Sequence, residues 1–187
     1  MLRLLPALLA LGLSAAPSLA DEVTDTLEGA LQAYRDGDVT AAREDIDYAA
    51  KLLAAMRAES LAKFLPDALP GWTRADADAE ESGGMMSMLG GGTAASATYT
   101  KDDGTELKID LVASSPMVSG IAAMVSSMGS MGGAKPMRIK RTEFADSDGD
   151  LQGVVDGNVM ISAAGDATLD EKKAYLEAMD FDALADF

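Results

Sequence analysis

Met85, Met86 and Met88 fall within four residues of one another in "SGGMMSMLGGG", Ser82 to Gly92, with glycines on both sides. Thioether sulfur is a soft ligand that suits Cu(I), and a site needs several sulfurs drawn together on an adaptable backbone. Glycine supplies that adaptability. A second group, Met124, Met128 and Met131, leads into "GSMGGAKPM". If loop and helix end share one rim, Met85, Met86, Met88, Met128 and Met131 are the candidate copper ligands. The same stretch has an apolar reading. Methionine reshapes itself to irregular apolar surfaces, so Met85, Met86, Met88 and Leu89, with the lone Trp72, are the candidate contacts for an apolar ligand or protein partner. A plain connector is the third reading. Against ligation, Met117, Ile121, Met124 and Met128 recur at the spacing of one helix face, which is a packing pattern.

Most other chemistry is excluded by residue type. The chain has no histidine and no cysteine. Nucleophile systems built on His or Cys are therefore absent, as are the usual zinc and iron ligand sets. "SLAK", Ser60 to Lys63, matches a serine-x-x-lysine motif, but its companion motifs are missing and the chain is short for such an enzyme. "DSDGD", Asp146 to Asp150, begins like a calcium loop. The glycine and glutamate that such a loop needs further on are replaced by Leu151 and Gly157, so a polar hairpin turn is expected. Acids are so frequent that no pair of them singles out a glycosidase. No enzyme activity and no obligatory cofactor are expected.

These residues need elements to position them. Arg3, the apolar run Leu4 to Leu13 and the small residues of Ser18-Leu19-Ala20 read as a secretory leader cleaved after Ala20. That places the protein in the periplasm, with no membrane span after cleavage. The formal net charge of −16 repels nucleic acid and anionic headgroups. From Thr24 to Phe64 the apolar period is helical: Leu27, Ala30, Leu31 and Tyr34 form one stripe, and Ala42, Ile46, Ala49, Leu53, Met56 and Phe64 a second. "RDGD", Arg35 to Asp38, breaks the run at Gly37, and Asp38 or Thr40 caps the second helix. A helical hairpin over 21–65 results. "LPDALPGW", Leu65 to Trp72, ends it with two prolines, and Trp72 is expected to plug the hairpin onto the body. Beyond it the period changes to two. Trp72–Glu80, "TAASATYTK" and "ELKIDLVAS" read as strands, and "SPMVSGIAAMVSSM" as a helix capped by Ser115. Met137–Ala145, Leu151–Val155 and Val159–Ala163 read as three more strands, followed by a helix from Thr168 or Asp170 to Met179 and a docking tail.

The expected fold is α+β. It has a leader (1–20), a helical hairpin (21–65) and a domain (66–187) of strand-strand-strand-helix twice over, in one antiparallel sheet. "AYRDGDVTAAREDIDYAAKLL" resembles a single tetratricopeptide-type hairpin, whose apolar faces need a neighbour. That neighbour is the sheet, another protein or a second copy. The blocks "YRDGDVTAAREDIDYAA", "LPDALPGWTRADAD", "TYTKDDGTELKIDLVASSPM" and "AYLEAMDFDAL" resemble a group of exported, functionally uncharacterised proteobacterial proteins. The resemblance implies the architecture and carries no activity and no catalytic residue. The expected function is binding of an apolar ligand or a periplasmic protein by the Met/Gly loop and an adjacent groove. Cu(I) binding is the alternative.

Overall fold

The computed structural model describes residues 19–77, 91–115, 118, 120 and 135–187. The chain forms two compact units, one up to Leu52 and one from Leu53 to Phe187. Of the expected leader, residues 1–18 lie outside the described residues, and Leu19 and Ala20 belong to the first helix. Among the described residues no helix is long and apolar enough to cross a membrane.

The first unit holds the first helix and the start of the second, which continues into the second unit. Helix α1 spans Leu19–Arg35 and α2 spans Val39–Ala62. Gly37, at φ 84°, makes the turn, and Asp38 caps α2 by accepting from Ala41 N at 3.0 Å. The buried residues are small and seven apart: Val23 and Ala30 on α1, Ala42 and Ala49 on α2. The large members of the predicted stripes, Leu27, Leu31, Tyr34 and Ile46, are exposed. The physical reason is close approach. A Cβ on Gly29 would stand 3.2 Å from Asp45 Oδ2, and a seam of alanines lets two helices meet where leucines would hold them apart.

The second unit is one antiparallel sheet with helices on one face. Its strands are β1 (Trp72–Asp76), β2 (Thr93–Lys101), β3 (Glu106–Ala113), β4 (Lys135–Ile139), β5 (Thr142–Ser147), β6 (Asp150–Val155) and β7 (Val159–Ala164). Across the sheet the order is β1-β2-β3-β7-β6-β5-β4. The chain closes with α3 (Leu169–Ala178) and α4 (Phe181–Ala185). The second half departs from the expected pattern: it holds four strands, because the stretch read as one strand from Met137 to Ala145 folds back on itself. Its turn is Lys140-Arg141, with Lys140 at φ 53° and Ile139 paired to Thr142. Lysine and arginine carry no turn propensity, so nothing local announced it. The helix predicted from Ser115 to Met128 falls mostly outside the described residues; Val118 and Gly120 within it are helical.

Alternation along each strand sends one set of side chains to the core. One core row runs Ala97, Ile109, Ala163 and Leu151; the next runs Ala95, Leu111, Ile161, Gly153 and Phe144. Gly153 is required there, since a Cβ would meet Phe144 Cδ1 at 2.7 Å. Tyr175, Leu176, Met179, Phe181 and Leu184 cover this face together with Leu61 and Leu65. Thr168 and Glu171 form a capping box at the start of α3, with Thr168 N donating to Glu171 Oε2 at 2.9 Å. Lys101 Nζ donates to the other oxygen of Glu171 at 2.7 Å, so one carboxylate both caps α3 and ties it to β2. These bonds, Lys101 first, hold the Glu171 carboxyl down at about 2.

Candidate functional site

The residues singled out from sequence divide sharply. Met85, Met86, Met88, Leu89, Met128 and Met131 lie outside the described residues. Trp72 is the first residue of β1 and pairs with Lys101 at the end of β2. Its ring meets Tyr175 edge-on at 5.6 Å, and Lys101 Nζ lies 5.7 Å from the ring centroid. The Met/Gly loop enters β2 at the opposite end of that strand, through Gly91 and Gly92, at φ 96° and 120°. Ser60 Oγ donates to Met56 O at 2.9 Å, so its hydroxyl is engaged by its own helix. The "DSDGD" stretch is a hairpin turn between β5 and β6 with Asp148 at φ 55° and Gly149 at φ 92°. The cation on it is a lysine. Lys172, only 2% exposed, donates from Nζ to Asp150 Oδ1 at 2.8 Å and Gly149 O at 2.7 Å. Among the described residues no group of three or more acids is placed to hold a metal ion.

Register creates a feature that no single segment displays. On the face away from the core, Ala94 pairs with Val112, Val112 with Met160, and Met160 with Val154. These four half-buried residues form one apolar row across β2, β3, β7 and β6. The next row is polar: Ser96, Asp110, Ser162 and Gln152. Ser96 Oγ donates to Asp110 Oδ1, and Lys108 Nζ lies 3.0 Å from the same oxygen. Gln152 Nε2 donates to Met160 Sδ at 3.4 Å, a link between the rows. The apolar row starts one residue inside β2, next to Gly91 and Gly92 of the Met/Gly loop. The face therefore grades from apolar near the loop to charged further along. Such an arrangement can hold an apolar body and orient a polar end.

Comparison with protein-family models, with characterised proteins and with solved structures found no match.

A concavity of about 550 Å³ is lined in part by Phe64, Leu65, Pro66, Arg74, Asp76 and Met179. Several polar groups around it are already committed to the fold. Arg74 donates to Leu65 O at 2.9 Å, Pro66 O at 3.1 Å and Ala62 O at 3.4 Å, satisfying the last carbonyl of α2 and two in the segment after it. Its Nε lies 2.6 Å from Asp76 Oδ1. Tyr99 Oη donates to Pro66 O at 2.6 Å, and Tyr175 Oη accepts from Leu69 N at 3.1 Å. Burial pushes the Tyr99 hydroxyl far above the usual phenol range and raises that of Tyr175. Both stay neutral and pin the segment between α2 and β1. No sequence pattern pointed to this network, since most of its partners are backbone groups reached only in the folded chain.

Proposed function

We propose that the protein is a non-catalytic periplasmic binding protein, and that an apolar ligand or a protein partner lies on the row Ala94, Val112, Met160 and Val154 beside the Met/Gly loop. One observation carries this reading: a four-strand apolar row sits on the half-buried outer face, directly at the point where the loop enters β2. The neighbouring Ser96–Asp110–Lys108 group supplies a polar boundary that favours one orientation. Met85, Met86, Met88 and Leu89 belong to the binding surface on this reading, as the adaptable side of the contact. Trp72 has a packing role instead, because its ring rests against Tyr175.

The test compares wild type with Val112→Asp and Met160→Asp, and with Val112→Leu and Met160→Leu. Binding of a fluorescent long-chain acyl probe and crosslinking to envelope proteins are read for each. The reading expects at least one of these to be strong in wild type and in the Leu variants and to fall about tenfold or more in the Asp variants, about 1.4 kcal/mol. Capture that is unchanged by aspartate sinks it. An anaerobic Cu(I) titration of the same preparations against a chromogenic chelator addresses the alternative. Tight binding that is lost on changing Met85, Met86 and Met88 to Leu would establish copper.

A further inference from the structure

The hairpin leaves its large apolar residues uncovered. Leu27, Leu31, Tyr34, Val39 and Ile46 are exposed to between 44% and 67%. At ~100° per residue, Leu27, Leu31 and Tyr34 project within about 60° of one another on α1, and Val39 and Ile46 within about 20° on α2. Both stripes are rotated in the same sense away from the buried Ala30 and Ala42. In two antiparallel helices that sense leads to the same side of the pair. Glu22 and Tyr48 are rotated the other way, and they meet on the opposite side, Tyr48 Oη donating to Glu22 Oε1 at 2.7 Å. One side of the hairpin is thus a continuous apolar face.

We infer that this face is the contact for a second copy of the chain, joined about a twofold axis. Three observations single out that occupant. The five side chains present on the order of 500 Å² per copy, so pairing two faces removes about 1,000 Å², the lower bound of a specific interface. The face contains no charge. Its border is balanced in a chain of net charge −16: Glu28 and Arg35 flank it on α1, Arg43 and Asp47 on α2, the latter two 3.8 Å apart. Glu22, Asp25 and Glu44 project away from it, so two faces approach without the repulsion that the total charge suggests. A surface that is apolar in the middle and charge-balanced at its edge is complementary to itself, which is what an isologous contact requires. The product is a four-helix contact that supplies the neighbour an isolated helical pair needs.

Sedimentation velocity on the exported chain tests this over a concentration series reaching about 200 µM. An interface near the lower size bound predicts a monomer–dimer equilibrium with Kd on the order of micromolar to tens of micromolar. Leu31→Glu/Ile46→Glu raises Kd by about 100-fold or more and leaves the helical circular dichroism intact, since both positions are already exposed. Leu31→Ser/Ile46→Ser, which introduces no charge, weakens it by about tenfold, and Asp25→Asn on the far side leaves it unchanged. A wild type that remains monomeric throughout, or a dimer that survives both double substitutions, overturns the inference. A monomer that still binds its ligand on the sheet row refutes the dimer and leaves the binding function standing.

Discussion

Lys172 and Asp150 form a pair whose two halves are unequally buried, and the inequality predicts an unequal response to mutation. The lysine is 2% exposed at its side chain and the aspartate 55%. Asp150→Ala leaves a buried ammonium with Gly149 O alone of its two partners among the described residues, and it also removes the acceptor for Gly165 N. Breaking a buried pair from this side costs about 3 kcal/mol, the lower end of the usual range because one acceptor remains. Lys172→Met keeps the aliphatic stem in the core and leaves a carboxylate that water reaches. The hydrogen bonds it forfeits are offset by the desolvation it relieves, so the cost stays under about 1.5 kcal/mol. The double variant should resemble Lys172→Met alone, a coupling of about 3 kcal/mol. Urea unfolding followed by fluorescence of Trp72, the only tryptophan, reads the unit that contains both residues. With m near 2 kcal/mol/M, Asp150→Ala lowers the midpoint by about 1.5 M and Lys172→Met by less than about 0.8 M. The reasoning fails if Lys172→Met is the more damaging change, or if the two costs simply add.

Two more outcomes are expected in the same unit. Gly153→Ala drives a methyl to 2.7 Å from Phe144 Cδ1 and 2.9 Å from Glu143 O; it should cost about 1–3 kcal/mol in the same unfolding assay, and a neutral result would mean that Phe144 does not lie across Gly153. The Glu171 carboxyl is held at about 2, below its ordinary 4.5, chiefly by Lys101 and then by Thr168. A depressed folded value means the stabilisation is fully present above about 4.5 and is lost as pH falls from there toward 2. Glu171→Gln should therefore flatten the acid limb of stability against pH in that window, with little change in slope near neutrality. Identical slopes for variant and wild type would exclude the Lys101–Glu171–Thr168 arrangement.

Much of the architecture was legible because it rests on short-range periodicity and turn chemistry. Gly37 and Asp38 marked the hairpin turn, the two prolines of "LPDALPGW" marked the hairpin's end, and the change to a period of two marked "TAASATYTK" and "ELKIDLVAS" as strands. The Lys140-Arg141 turn was not legible: pairing of β4 with β5 imposes it, and neither residue prefers it. The hairpin seam was legible only as stripes containing Ala30, Ala42 and Ala49, which the fold buries. Periodicity shows which residues share a helix face but not which face a neighbour covers, and here small residues rather than large ones make the closest approach.

What the sequence determined alone is chemical: without histidine or cysteine, and with acids spread along the chain, whole classes of catalytic and metal site are unavailable. It also drew attention to methionine, a signal of composition rather than position. Tertiary structure alone decided the surfaces. Ala94, Val112, Met160 and Val154 become neighbours only through the register of four strands. Lys172 takes the place of a cation at the "DSDGD" turn only because α3 returns across the sheet. Apart from the β6–β7 pair Val154 and Met160, these contacts join residues 18 to 48 positions apart. Local propensity acts over a few residues, so contacts of that range are set by which packing of the whole chain buries the most apolar surface.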